Sequence, residues 1–184
     1  FGGFGGPLGS TLGLPIYGKV YSSAFVNTNG LISYGSSVSS FVPQPFPISS
    51  TALVAPFWAD ADTRGTASGQ VWYRATQDAA TLDAIGAQLY SSYLGLNAEN
   101  FRPKFAQIVT WDRVGYYPSM TDKLNTFQAV VVTDGAATFA LYLYPQGGIN
   151  WLQGSASGGA LPRYGFDAGD QVNFLNGVGS GTSS

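Results

Sequence analysis

Asp60 and Asp62 form a D-x-D pair directly after an apolar run that ends at Trp58, and Thr63 follows them. Carboxylate and hydroxyl oxygens at that spacing suit a hard cation, so the pair is read as a candidate Ca2+ site. The competing role for the same two residues is structural. Loop carboxylates accept backbone N–H groups, and here they have Arg64 or Arg113 as ion-pair partners. EF-hand spacing is absent. No other acidic residues are grouped, and Glu99 is the only glutamate, so the two facing carboxylates of a glycosidase are not in evidence. The string nearest to a nucleophile elbow, Gly154-Ser155-Ala156-Ser157-Gly158, puts alanine where the nucleophile belongs. Histidine and cysteine are both absent from the 184 residues, which excludes Ser-His-Asp and Cys-His catalysis, zinc-finger sites and CxxC redox chemistry. No catalytic residue is assigned, and apart from Ca2+ no cofactor is expected.

Two further groups invite a binding role. Trp72, Tyr73, Tyr116 and Tyr117 could stack on sugars, although in a β-sandwich most aromatics serve as core or cross-strand pairs. No N-x-[ST] acceptor occurs, which leaves Ser and Thr as sites for O-linked glycans. The opening sixteen residues, FGGFGGPLGSTLGLPI, carry no charge, and Pro7 and Pro15 block a helix. They read as an extended arm that can reach roughly 50 Å at ~3.3 Å per residue. Its apolar residues Phe1, Phe4, Leu8, Leu12 and Leu14 are the candidate anchors for contact with a neighbouring subunit.

The elements that must position these residues are mostly strands. Val20 to Val26 and Leu31 to Tyr34 flank Asn29-Gly30, a strong hairpin signal. Strands are expected over Ala52–Trp58, Gln70–Arg74, Phe105–Tyr116, Thr126–Thr133, Thr138–Tyr144, Ile149–Trp151 and within Tyr164–Leu175, with a second hairpin at Asp134-Gly135. One helix is expected at about 78–94, where Leu82, Ile85, Leu89 and Tyr93 share a face, Thr76 serves as N-cap and Gly95 as the stop. The fold class is therefore mainly β, an antiparallel β-sandwich or jelly roll with one helix and an extended N-terminal arm. The Gly/Ser-rich tail is expected to be flexible.

Composition narrows the setting. Charged residues are 10% of the chain, 8 basic against 10 acidic, where an average soluble domain has about 25%. A weakly acidic chain lacks the positive field that phosphate backbones require, so nucleic acid is not an expected partner. No apolar stretch reaches ~18 residues, so no transmembrane segment is expected. A surface poor in charge and rich in Gly, Ser, Thr and Tyr suits a protein that is extracellular, or packed against neighbours, or both. The chain opens at Phe1, not Met, so it is expected to be a processed product or fragment whose signal peptide is gone.

Four blocks, in order, resemble the NIDO domain, the extracellular module of nidogen, alpha-tectorin and mucin-4-like proteins. They are Tyr17-Gly18-Lys19 leading to Val26–Gly35; Phe46-Pro47-Ile48 with Val54–Arg64 and Val71–Arg74; Ile108–Tyr117 with Asn125–Val130 and Thr133-Asp134-Gly135; and Ile149-Asn150-Trp151 with Ala156–Gly159 and Gly165–Asp170. The resemblance runs from about Leu14 to Ser180. It divides the chain into an arm (1–13), a NIDO-like β-sandwich (14–180) and a Ser/Thr tail (181–184). It implies a secreted, non-enzymatic module of matrix and adhesion proteins and brings no catalytic residue with it. Two functional expectations follow. One is a structural protein that self-assembles into a filament, with other copies of itself as partners and the arm docked on a neighbour. The alternative is an adhesion or matrix module that recognises a protein or a glycan, with Ca2+ at Asp60 and Asp62.

Overall fold

The computed structural model describes residues 3–8, 12–48, 50–92 and 100–183. In chain order these form β1 (Gly3–Pro7), β2 (Leu14–Ile16), β3 (Lys19–Tyr21), β4 (Ser23–Asn27), β5 (Leu31–Tyr34), β6 (Ala52–Trp58), β7 (Ala61–Asp62), β8 (Gln70–Thr76), α1 (Ala79–Ser92), β9 (Phe105–Tyr116), β10 (Met120–Thr133), β11 (Thr138–Leu143), β12 (Arg163–Asp167) and β13 (Phe174–Asn176). One sheet has the order β1-β4-β5-β6-β12-β13 and the other β11-β10-β9-β7, with β8 also paired to β9. All the pairings are antiparallel, and β2 and β3 make a small separate hairpin.

The inner faces of the two sheets meet in one core. Val26, Ile32, Val54 and Phe57 from the first sheet pack on Val109, Trp111, Phe127 and Val131 from the second. Trp111 stacks on Phe127 at 4.9 Å, and its indole N–H donates to the Asn27 carbonyl at 3.1 Å, so this buried polar handle is satisfied. Each sheet also has an outer covering. Leu82, Ile85 and Leu89 of α1 lie on Ala106, Val130, Val132 and Leu141. The loop through Val38, Phe46 and Ile48 covers Leu31, Leu53, Ala55 and Trp58. Strand β6 is therefore buried on both sides along its whole length, which explains why its sequence is a continuous apolar run and does not alternate.

The β-sandwich with one helix expected from the sequence is the architecture found, and four local expectations change. The run from Val20 to Val26 breaks at Ser22, whose carbonyl accepts the Leu8 N–H at 2.9 Å; β3 then belongs to the small hairpin and β4 to the large sheet. Strand β10 starts at Met120 rather than Thr126, because it crosses two register shifts near Asn125. Residues 149–151 are not a strand. The backbone N–H groups of Asn150 and Trp151 are taken by the buried side chain of Asn125, whose Oδ1 accepts them at 2.6 Å and 3.0 Å. The helix cap is Asp78, not Thr76: its Oδ2 accepts the Thr81 N–H at 2.9 Å, while Thr76 Oγ1 accepts the Asp78 N–H. Tyr93, Leu94 and Gly95 lie outside the described residues.

The Asn-Gly hairpin forms as expected, with a three-residue loop (28–30) and Asn27 Oδ1 accepting the Asn29 N–H at 2.8 Å. Gly30 has φ +85°, and a Cβ there would lie 1.8 Å from the Phe57 carbonyl oxygen, so glycine is required twice over. This turn delivers Thr28 to the corner where β6 crosses to the second sheet.

Candidate functional site

The uncharged N-terminal segment is extended, as its sequence requires, and its described part lies on its own chain. Strand β1 pairs with β4 from Gly3↔Asn27 to Pro7↔Ser23 and forms one edge of the six-stranded sheet. Glycine permits the close approach: a Cβ on Gly5 would fall 2.1 Å from the Phe25 ring. The five anchor residues divide. Phe4 is 46% exposed and meets Tyr73 edge to face at 5.6 Å. Leu8 and Leu14 are buried in the sandwich core. Leu12 is partly exposed, and Phe1 lies outside the described residues. The described part of the arm is thus an edge strand of its own domain with a core anchor. The Gly/Ser-rich tail is likewise tied to its own chain through residue 181. Gly177 donates to the Tyr164 carbonyl, Gly181 to the Pro162 carbonyl, and Arg163 Nη1 to the Ser180 carbonyl.

The D-x-D pair sits at one end of the sandwich, where four segments converge. They are the Asn27–Gly30 turn, the β6–β7 corner, the Tyr117–Ser119 turn between β9 and β10, and the 3-10 turn Ser155–Ser157. Backbone bonds join them: Ala59 donates to the Asn29 carbonyl, Tyr117 to the Asp60 carbonyl and Ser155 to the Tyr117 carbonyl. Thr28, Asp60, Asp62, Thr63, Arg64 and Tyr117 line a cavity of about 310 Å3.

The two carboxylates do different work. Asp62 Oδ1 accepts the Arg64 N–H at 3.0 Å and its Nε at 2.8 Å. Its Oδ2 accepts Arg64 Nη2 at 2.6 Å and the Ser119 N–H at 2.9 Å. The hydrogen bonds from the Arg64 guanidinium hold this carboxyl well below the usual range. Asp60 is 1% exposed, and burial pushes its carboxyl up, opposed by a hydrogen bond from the Ala156 N–H. Its Oδ2 has no hydrogen-bond partner. Arg113 takes no part; its N–H donates to Thr126 Oγ1. Among the described residues no group of three or more acidic side chains gathers around a metal-sized space. Sequence reasoning identified Arg64 as a partner but missed Ser119, which is remote in the chain and becomes a ligand of Asp62 only through the β9–β10 turn.

The four aromatics do not make one platform. Trp72 and Tyr73 are successive residues of β8 and so face opposite sides; Trp72 is 61% exposed. Tyr116 packs on Trp151 at 5.5 Å and donates to Asp122, while Tyr117 lies under Arg64 at 5.8 Å. A larger apolar groove of about 730 Å3, which the sequence did not suggest, runs past Tyr17, Phe139, Tyr142, Tyr144 and Phe166.

The nidogen-like domain family model matches residues 22–184, and the chain belongs to that family. It is 37% identical to alpha-tectorin of Mus musculus over 93% of this chain and 8% of that protein. It is 34% identical to nidogen of Drosophila melanogaster over 89% of this chain and 12% of that protein. Identity to mucin-4 of Homo sapiens is 32% over 86% of this chain and 3% of that protein. The chain thus spans about a tenth or less of these relatives. No solved structure matches significantly. No helix among the described residues is long and apolar enough to cross a membrane.

Proposed function

We propose that this nidogen-like domain is an extracellular, non-enzymatic structural module that self-assembles into a filament by exchanging its N-terminal strand. The family supports the extracellular matrix setting, and one observation carries the assembly step. Strand β1 holds an edge position through a single ladder to β4 plus the Leu8 anchor. Every copy carries both the strand and the slot. A β1 strand donated to the β4 edge of the next copy makes the same hydrogen bonds, the same Phe4–Tyr73 contact and the same Leu8 burial that it makes at home. Exchange therefore loses little contact energy and costs chiefly the association entropy. Head-to-tail donation does not close on itself unless a ring forms, so it grows a fibre. A surface with few charges offers little repulsion between packed subunits.

Negative-stain microscopy of the full chain and of a chain lacking residues 1–13 tests this. The full chain is expected to give regular filaments. The shortened chain has a slot but no strand, so it is expected to form none and to stop growth when mixed into full-length material. Filaments from the shortened chain, or dispersed particles in every sample, contradict the proposal. The second reading, a module that binds a protein or glycan, draws its support from the aromatic groove beside Tyr142 and Tyr144. Binding of a glycan array or matrix proteins that is lost on Tyr144→Ala supports it, and no binding contradicts it.

A further inference from the structure

We propose that the outer edge of β11 is a strand-addition site for an extended, uncharged polypeptide segment of a partner protein, laid over the uncovered inner face of β12 and β13. This rests on the binding reading of the aromatic groove and names its ligand class; it is independent of exchange at β4. The two sheets differ in width. One residue from each strand of the six-stranded sheet forms a row across its inner face: Phe4, Val26, Ile32, Val54, Phe166 and Leu175. The facing row in the other sheet is four residues wide, Tyr73, Val109, Ala129 and Tyr142. Its Tyr73 end meets Phe4, and its Tyr142 end reaches β12, where the phenol donates to the Gly165 carbonyl. Val26, Ile32 and Val54 are buried in the middle of the row, while Leu175 is 53% exposed. The second sheet is a strand short on this side. The groove of about 730 Å3 lies there, lined by β11 together with Phe166 and Leu175.

One wall of that groove is backbone. Strand β11 ends its sheet and, among the described residues, pairs only with β10. The Asp134 N–H donates to the Ala137 carbonyl and closes the β10–β11 hairpin. Antiparallel alternation then turns the N–H and C=O groups of Phe139 and Leu141 toward β10 and those of Thr138 and Ala140 away from it. Thr138 and Ala140 both line the groove. An edge of this kind is a template for a further strand. The six residues of β11 match a segment of similar length, ~20 Å long.

Three features choose the occupant. Backbone donors and acceptors in a row, beside an apolar face, match a polypeptide strand better than a glycan. Asp167 is the one charged residue lining the groove among the described residues, and its two oxygens accept the Ile48 and Gly169 N–H groups. A charged side chain entering the groove finds no counter-ion there, so the segment is uncharged. The overhang excludes a whole second copy docked edge to edge through β11, because each copy's β12 and β13 would claim the strip that the other's need. A single strand with no second layer behind it fits.

Hydrogen–deuterium exchange of the full chain, read by mass spectrometry with residue-level fragmentation, tests this whether or not the chain is assembled. Without a ligand, Thr138 and Ala140 are expected to exchange faster than Phe139 and Leu141. The probe is the capped peptide acetyl-Thr-Val-Thr-Val-Thr-Val-amide, with a counterpart carrying Lys for Val, and maltohexaose as a neutral glycan. At millimolar concentration the uncharged peptide is expected to slow Thr138 and Ala140 about tenfold or more, and the Lys peptide to do much less. Ala140→Pro deletes an outward N–H on an edge strand while sparing the bonds to β10, and is expected to weaken peptide binding about tenfold. Leu175→Asp, at an exposed position, is expected to weaken it too. No response to the uncharged peptide overturns the proposal, as does an equal response to the Lys peptide or undiminished binding in Ala140→Pro. A response to maltohexaose in the peptide's place overturns it while leaving the binding reading standing. Slow exchange of Thr138 and Ala140 in the chain alone assigns the edge to a second copy and overturns the partner assignment.

Discussion

The six-stranded sheet has two edges, and they are held by different means. Strand β13 turns directly out of β12 and is clamped by side chains on its far end. Asn176 Oδ1 accepts the Phe46 N–H at 2.9 Å, and its Nδ2 donates to the Phe46 carbonyl at 2.9 Å. The turn before it is closed by Asp170, which accepts the Val172 and Asn173 N–H groups. The opposite edge, β1, reaches its partner β4 only after the β2–β3 hairpin has intervened, and it is held by the backbone ladder and the Leu8 N–H. One edge is fixed by side-chain-specific bonds, from the Asp170 turn before it and to the remote Phe46. The other is fixed by a ladder that any copy of the same strand can supply. A sheet edge is a template for pairing, and under the proposed assembly one of the two is the piece that is exchanged.

Three substitutions break this comparison at different points. Leu8→Ala removes a fully buried anchor next to β1 and is expected to cost about 2–5 kcal/mol, read as a lower urea midpoint. The same change is expected to weaken filaments, since the anchor serves the exchanged strand equally. A loss below ~1 kcal/mol would show that Leu8 does not seat the arm. Asn176→Ala attacks the other edge. It strips two hydrogen bonds from Phe46 and is expected to cost about 1–3 kcal/mol while leaving assembly intact. Hydrogen exchange is expected to quicken at β13 and not at β1; equal quickening at both edges would contradict their independence.

The smallest effect is electrostatic. Hydrogen bonds from the Asn173 backbone and side chain, then from Val172, draw the Asp170 carboxyl down to about 2. Because the folded value lies below the unfolded one of about 3.9, its contribution is present above pH ~4 and lost as pH falls toward 2. Wild type and Asp170→Asn are therefore expected to differ at neutral pH and to converge only near and below pH ~2 in urea midpoint. A difference independent of pH would assign the effect to shape and not to charge.

The strands were legible because burial writes itself into the alternation of residues and because Asn29-Gly30 and Asp134-Gly135 are local turn chemistry. The helix face was legible for the same reason. The cap was misassigned because Thr76 and Asp78 are both side-chain acceptors two residues apart, and only the structure shows that Asp78 takes the Thr81 N–H. Residues 149–151 look like a strand until Asn125, distant in sequence, takes their N–H groups. Strand β1 was read as an extended arm because the segment is uncharged and Pro7 and Pro15 block a helix; its place on β4 sets Gly5 against the Phe25 ring, where no side chain fits. At the acidic corner the pair itself was visible. The division into a clamped Asp62 and a buried Asp60 was not, since it depends on Ser119 and on the turn that covers Asp60.

The chain contains no cysteine, so one engineered pair reports on a single contact. Gly6 and Ala24 are directly opposed across β1 and β4. Gly6→Cys with Ala24→Cys, oxidised after assembly and run on a non-reducing denaturing gel, states which chain supplies the strand. Exchange requires a ladder of covalent multimers that collapses on reduction. A single monomer band from assembled material would mean that every β1 stays on its own domain, and the strand-exchange account would be wrong.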